Sequence, residues 1–248
     1  YRVYAPSRGR ENLGTYGESK IGLVRKVNED SYYISADQDV LAVADGMGGY
    51  VGGEIASKTA VKAIAYYFDN YTFTAPVQLE KAVQYANSCI LSKTMIDPSL
   101  KGMGTTVSLV TLSGERAFWA HVGDSRIYLY HDHELQQISK DHTIVQVLME
   151  KGKITEEEAK DHPKRHVLTR AVGVDRNLLV DSGIFQIHHG DRLLLCSDGL
   201  TSFVSQEELC EALGNTALSE REIINTLFDR VYENGAKDNV TAVLKTVE

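Results

Sequence analysis

The sequence predicts an α+β layered domain, with sheets in the middle and helix pairs outside. Three observations carry that expectation. Short β-branched and aromatic runs crowd residues 105–138, separated by turn signals and without βαβ alternation. Longer stretches with apolar residues at helical spacing fall in two pairs, one before and one after those runs. Apolar runs also end repeatedly in aspartate, which marks the ends of buried strands.

Taken in order, residues 1–12 (YRVYAPSRGREN) are polar and unpatterned, read as a leader or linker without assigned function, and one domain is expected over 13–248. Arg25, Glu29 and Asp30 precede a strand at Ser31–Ile34 and read either as a charged loop or as an anion-binding arginine with carboxylates for water or metal. Leu41–Ala44 form a buried strand that runs into Asp45 and the turn Gly46-Met47-Gly48-Gly49. Glu54–Phe68 repeats Ala56, Ala60, Ile64 and Phe68 at i+4, and a second helix from Val77 to Met95 turns Leu79, Val83, Ala86 and Ile90 inward. The runs TTVSLVTL, RAFWAHV, SRIYLYHD and ELQQIS predict an antiparallel meander, broken at Gly123-Asp124-Ser125. His131 and His133 read as solvated turn residues before ligands, because nothing nearby completes a metal set.

Asp141-His142-Thr143 opens a helical piece closed by Gly152, and Thr155…Glu158 is a capping box. The charge-dense span 150–166 reads equally as surface or as a lid. Strands near 178–187 and 191–197 follow, the latter ending at Asp198-Gly199. Capping boxes at Ser205…Glu208 and Ser219…Glu222 start two more helices, and Asp238-Asn239 leads into the closing strand VTAVLKTV.

Composition bounds the function. With 24% charged and 43% apolar residues the chain is ordinary for a soluble globular protein, and no apolar run approaches the roughly 20 residues needed to span a bilayer. A net charge of −8 without a Lys/Arg stripe argues against nucleic acid. Cys89, Cys196 and Cys210 lack CxxC spacing and read as buried thiols of a reducing, cytoplasmic compartment.

Asp45, Asp124, Asp198 and Asp238 all stand at strand ends or strand turns. If those ends converge, four carboxylates meet, and their repulsion calls for cations between them. Oxygen-only ligation selects Mg²⁺ or Mn²⁺ over zinc. Two such ions sharing a carboxylate hold water as hydroxide and clamp a phosphoryl oxygen, which is hydrolytic phosphate chemistry.

At these residues the chain resembles the metal-dependent Ser/Thr protein phosphatases of the PP2C (PPM) family in their bacterial form. RKVNEDS (25–31), VADGMGG (43–49), GMGTT (102–106), HVGDSR (121–126), DHT (141–143), LLLCSDGL (193–200) and KDNVT (237–241) match in the family's order, over roughly 13–247. The resemblance implies a four-layer α-β-β-α sandwich of two antiparallel sheets flanked by helix pairs. It implies two core Mn²⁺ or Mg²⁺ ions and a third, weaker one. Asp45 bridges the core pair, with the Gly46 carbonyl as a further ligand. Asp198 and Asp238 complete the first site, Asp124 shares the third ion with Asp198, and Glu29 acts through metal-bound water with Asp30 beside it. Arg25 binds the substrate phosphate, and 143–166 is a flap that tunes substrate choice.

The implied reaction is direct attack of a bridging hydroxide on phosphoserine or phosphothreonine, without a phosphoenzyme. The implied partners are phosphoproteins, substrates of a bacterial Ser/Thr kinase, and a monomer is expected, with no nucleic-acid or membrane partner. Met47 and Tyr50 stand where some relatives carry histidine, so the leaving-group acid is assigned first to a metal-bound water and second to His142. Two rivals remain: a non-catalytic binding or sensor module that keeps this fold, and a metal-dependent phosphodiesterase.

Overall fold

The computed structural model describes residues 14–48, 52–71 and 76–248; the expectations for residues 1–12, Gly49 and Tyr50 lie outside them. The chain begins with strands β1 (Thr15–Lys20), β2 (Asp30–Ile34) and β3 (Val40–Met47), followed by helices α1 (Gly52–Asn70) and α2 (Val77–Ile96). Strands β4 (Gly104–Thr105), β5 (Val107–Ser113), β6 (Arg116–Val122), β7 (Arg126–His131) and β8 (Glu134–Gln137) follow. Short helices α3 (Ile144–Glu150) and α4 (Glu156–Lys160) lead to β9 (Asp181–Gln186) and β10 (Arg192–Cys196). Helices α5 (Asp198–Thr201), α6 (Gln206–Gly214) and α7 (Glu220–Glu233) precede the last strand, β11 (Val240–Thr246).

Two antiparallel sheets form, ordered β1-β11-β10-β7-β8 and β2-β3-β5-β6-β9, with β4 paired to β3. Period-two alternation builds the layers. In β3, Val40, Ala42 and Ala44 face α1 and α2, while Leu41 and Val43 face the other sheet. In β10, Leu194 and Cys196 meet α6 and α7, while Leu193 and Leu195 close the space between the sheets. Both strands read as continuous apolar runs because each is covered on both faces. The result is the four-layer sandwich, helix pair on sheet on sheet on helix pair.

Four helices, α3, α4, α6 and α7, start at a side-chain N-cap. Thr143 accepts the Gln146 N–H, and capping boxes form at Thr155, Ser205 and Ser219. Leu79, Val83, Ala86 and Ile90 are fully buried, as their spacing requires. Among the described residues, no helix is long and apolar enough to cross a membrane.

Two expectations are corrected. The strands of 105–138 are not one meander, because the chain leaves one sheet after β6 and enters the other at β7. Gly123 makes that crossing with φ +112°, and a Cβ there would lie 2.5 Å from Thr106 Cγ2. Of the three thiols only Cys196 is buried; Cys89 and Cys210 are partly exposed.

Candidate metal centre and active site

Strand register brings the candidate residues to one end of the sandwich. The pairing of β2 with β3 sets Asp30 opposite Asp45, and Val43 pairs with Ser108 at the start of β5. The end of β6 lies beside that start, since Val107 pairs with Val122, so the Asp124 crossing falls at the same edge. In the other sheet Cys196 pairs with both Arg126 and Ala242, which places Asp198 next to the approach to β11, where Asp238 stands. Four aspartates separated by up to 193 residues thus share one edge because every strand involved begins or ends there.

Backbone hydrogen bonds lock this edge. The Asp45 N–H donates to Thr106 Oγ1 (2.9 Å), and the Asp45 carbonyl accepts from the Thr106 N–H (2.8 Å) and Thr105 Oγ1 (2.9 Å). The Gly46 N–H donates to the Glu29 carbonyl at 3.1 Å. Asn239 holds the opposite wall: its Oδ1 accepts the Glu29 N–H, and its Nδ2 donates to the Ile21 and Val27 carbonyls. Ser197 Oγ donates to Asp30 Oδ2 (2.8 Å) and accepts the Thr241 N–H (3.0 Å), tying β2 to the corner before Asp198. Gly46 and Gly199 are required sterically: a Cβ would lie 2.1 Å from the Gly53 carbonyl oxygen in the first case and 1.9 Å from that of Asn239 in the second.

The site is electrostatically loaded. Burial first, then the negative fields of Asp30, Asp198, Asp124 and Asp238, hold the Asp45 carboxyl well above the usual range. Asp124 is pushed up in the same way, by burial and then by Asp198 and Asp141. Asp30 is raised to about 7, chiefly by burial, although Thr241 and Ser197 hydrogen-bond to it. Its Oδ1 is buried without a hydrogen-bond partner. Glu29 is raised by burial and Arg25 works against that shift. Arg25 donates to Asp238 Oδ2 at 2.6 Å, and this hydrogen bond is the main reason its own pKa rises.

Every site residue expected from the sequence therefore lies at this edge: Arg25, Glu29, Asp30, Asp45, Gly46, Asp124, Asp198 and Asp238. The aspartates do not close as a group of three within 4.8 Å. Asp238 turns to Arg25, and Asp198 Oδ2 lies 3.3 Å from His166 Nδ1. The donor set is carboxylate and carbonyl oxygen, the carboxylates repel, and one buried oxygen is orphaned. Those features fit hard divalent cations.

His142, the second choice for the leaving-group acid, is occupied otherwise. Its Nδ1 accepts the Gly123 N–H (3.1 Å), its Nε2 faces Asp181 Oδ2 (3.1 Å), and burial lowers its pKa. It fastens the Gly123 crossing to β9. Sequence reasoning missed His166, which belongs to the 143–166 span and reaches Asp198; only the flap itself was signalled. It also missed Asp141, which holds Arg126 through its Nε and Nη2. Among Thr106, Ser197 and Asn239, which fix the frame, the sequence signal was adjacency to the aspartate motifs.

Comparison with known proteins agrees with this geometry. The family model for protein phosphatase 2C matches residues 24–247. The serine/threonine protein phosphatase PstP of Mycobacterium tuberculosis is 41% identical over 227 residues, 91% of this chain and 43% of PstP. This chain thus spans less than half the length of that relative. The serine/threonine phosphatase Stp of Listeria monocytogenes is 34% identical over 232 residues, 90% of this chain and 91% of Stp. A solved structure of the PstP catalytic domain in complex with two manganese ions superposes with a TM-score of 0.85 at 38% identity, covering 94% of this chain and 98% of that one. The chain belongs to the protein phosphatase 2C family.

Proposed function

We propose that the protein is a metal-dependent phosphatase that hydrolyses phosphoserine and phosphothreonine in proteins. The observation that carries this reading is the convergence of Asp45, Asp124, Asp198 and Asp238, with Arg25 at their rim, on one edge of the sandwich. Asp45, the Gly46 carbonyl, Asp198 and Asp238 would hold two Mn²⁺ or Mg²⁺ ions, Asp124 with Asp198 a third. When bound, such ions supply Lewis-acid polarisation of the phosphoryl group and lower the pKa of water.

This chain's own groups do the rest. Arg25, half-exposed and swung onto Asp238, presents a planar fork suited to a phosphate dianion. The Thr105 and Thr106 bonds fix the Asp45 backbone, so its carboxylate springs from a fixed point at the edge. Glu29 and Asp30 remain next to the aspartates, Asp30 anchored by Ser197. The flap at 143–166 touches the site through His166 and bears on substrate choice. We further propose a single phosphatase domain over 13–248, a cytoplasmic monomer in phosphoprotein signalling, and opposition to a Ser/Thr kinase.

The test is hydrolysis of a phosphothreonine peptide, p-nitrophenyl phosphate and bis-p-nitrophenyl phosphate, with Mn²⁺ and with EDTA, for wild type and Asp198→Ala. Monoester turnover that needs Mn²⁺ and vanishes in Asp198→Ala supports the reading. Preference for the diester, or turnover untouched in a folded Asp198→Ala variant, overturns it.

A further inference from the structure

The opposite end of the β1-β11-β10-β7-β8 sheet carries a second group of ligand-type side chains. Seven residues of largely extended chain separate Asp191 from Asp198, which puts roughly 20 Å between the two ends at about 3.3 Å per residue. Because Tyr130 pairs with Arg192, the last residue of β7, His131, falls beside Asp191. His188 arrives from the loop after β9. The expectation that nothing completes a metal set around His131 is therefore corrected: its partners are 57 and 60 residues away in sequence.

His131 Nδ1 lies 2.6 Å from Asp191 Oδ1, and His188 Nδ1 lies 3.6 Å from Asp191 Oδ2. The two imidazole rings are 4.9 Å apart at 33°. Among the described residues, these three form the group whose ligand atoms all lie within 4.8 Å of one another. We propose that His131, His188 and Asp191 form a site for a divalent transition-metal ion of the zinc class, completed by water and separate from the aspartate centre.

Two imidazoles and a carboxylate suit zinc and its neighbours, and disfavour Mg²⁺ or Ca²⁺. The carboxylate is preset: Asp191 is buried, Oδ2 accepts the His188 N–H at 2.8 Å, and the Asp191 carbonyl accepts the Val247 N–H. The second nitrogen of His131, Nε2, faces Asp132 Oδ2 at 3.3 Å, the outer carboxylate that orients a ligating histidine and leaves Nδ1 for the ion. Asp132 and His133 both take positive φ, +46° and +66°, so the hairpin turn fixes the place of His131. A tetrahedral centre with bonds of about 2.0–2.1 Å spaces its ligand atoms roughly 3.3 Å apart. The ligand atoms of the three residues already lie within 4.8 Å of one another, and the rings of His131, partly exposed, and His188, exposed, are free to turn towards that spacing. A bound ion would clamp the β7–β8 turn to the start of β10 and to the end of the chain.

Without an ion, the same contacts describe an imidazole held between two carboxylates, and metal counting separates the two. The protein is stripped with a chelator, equilibrated with buffered Zn²⁺, gel-filtered and analysed by atomic emission. Wild type is expected to retain one equivalent more than His131→Ala or His188→Ala, and Asp198→Asn one equivalent more than the double variant Asp198→Asn/His131→Ala. Co²⁺ substitution gives the spectroscopic counterpart: strong visible bands of a four-coordinate ion, lost in both histidine variants and displaced by Zn²⁺. Circular dichroism checks that each variant is folded. Equal zinc in wild type and both histidine variants overturns the proposal, as does equal zinc in Asp198→Asn and Asp198→Asn/His131→Ala.

Discussion

Gly199→Ala tests directly whether close backbone approach holds the aspartate centre together. The Gly199 Cα faces the Asn239 carbonyl, and a Cβ there would lie 1.9 Å from that oxygen and 3.4 Å from Val240 Cα. Real Cβ atoms stay at least 3.0 Å away, so the two backbones must separate by roughly 1 Å. Neither wall can yield by side-chain rotation, because the obstacle is main chain between Asp238 and β11. The movement therefore separates Asp198 from Asp238. Overpacking of this kind costs about 1–3 kcal/mol of stability, which for a chain of this length lowers Tm by about 2–12 °C. A displacement of 1 Å in a catalytic constellation costs on the order of 100-fold in rate. The assay is Mn²⁺-dependent turnover of p-nitrophenyl phosphate together with Mn²⁺ binding by calorimetry. Gly114→Ala is the control: with φ +59° and nothing within 4 Å of a Cβ, it loses about 1–2 kcal/mol through backbone strain alone. The control should keep its metal affinity and Gly199→Ala should lose it. A folded Gly199→Ala variant with wild-type Mn²⁺ affinity and turnover would refute the steric reasoning.

Three further outcomes are expected. Asp45→Asn removes a buried carboxylate from a repelling cluster, so in EDTA its Tm should rise, by about 1–3 kcal/mol in stability, while activity disappears; a lower Tm counts against net repulsion at the site. Arg25→Ala should raise KM for phosphate monoesters about tenfold or more with a smaller change in kcat, the loss of a charge-assisted contact read by steady-state kinetics; an unchanged KM moves the phosphate site elsewhere. His121 is fully buried, bonded to Ser108 Oγ and the Gly123 carbonyl, and burial pushes its pKa down to about 3. Its folded pKa lies below the unfolded value, so the stability it contributes is complete above about pH 6.5 and is lost as pH falls from there towards 3. At pH 4.5 the loss is roughly 2–3 kcal/mol. Urea titrations at pH 7.5 and 4.5 should show a smaller drop in His121→Gln than in wild type, and an equal drop would discount the imidazole.

Local chemistry made much of the molecule legible in advance. Thr155, Ser205 and Ser219 announce their helices because a capping box is satisfied within four residues, whatever the rest of the chain does. The inner faces of α1 and α2 follow from 3.6-residue periodicity, and the buried ends of β3 and β10 from apolar runs closed by Asp-Gly. Asp45, Asp124, Asp198 and Asp238 could be marked as candidates because a strand-end carboxylate is visible locally.

Tertiary structure decided which of these residues meet. The crossing between sheets at Gly123 depends on its packing against Thr106, 17 residues earlier, and no local turn signal separates such a crossing from a hairpin. Arg25 reaches Asp238, and Ser197 reaches Asp30, across separations of 213 and 167 residues that only sheet register sets. His142 stood second for the leaving-group acid in the sequence, and the fold bonds both of its ring nitrogens. His131 looked like a solvated turn residue because its partners, His188 and Asp191, arrive through the pairing of β7 with β10. Residue type and short-range spacing settled what each group can do; strand register, a long-range property, settled which groups can do it together.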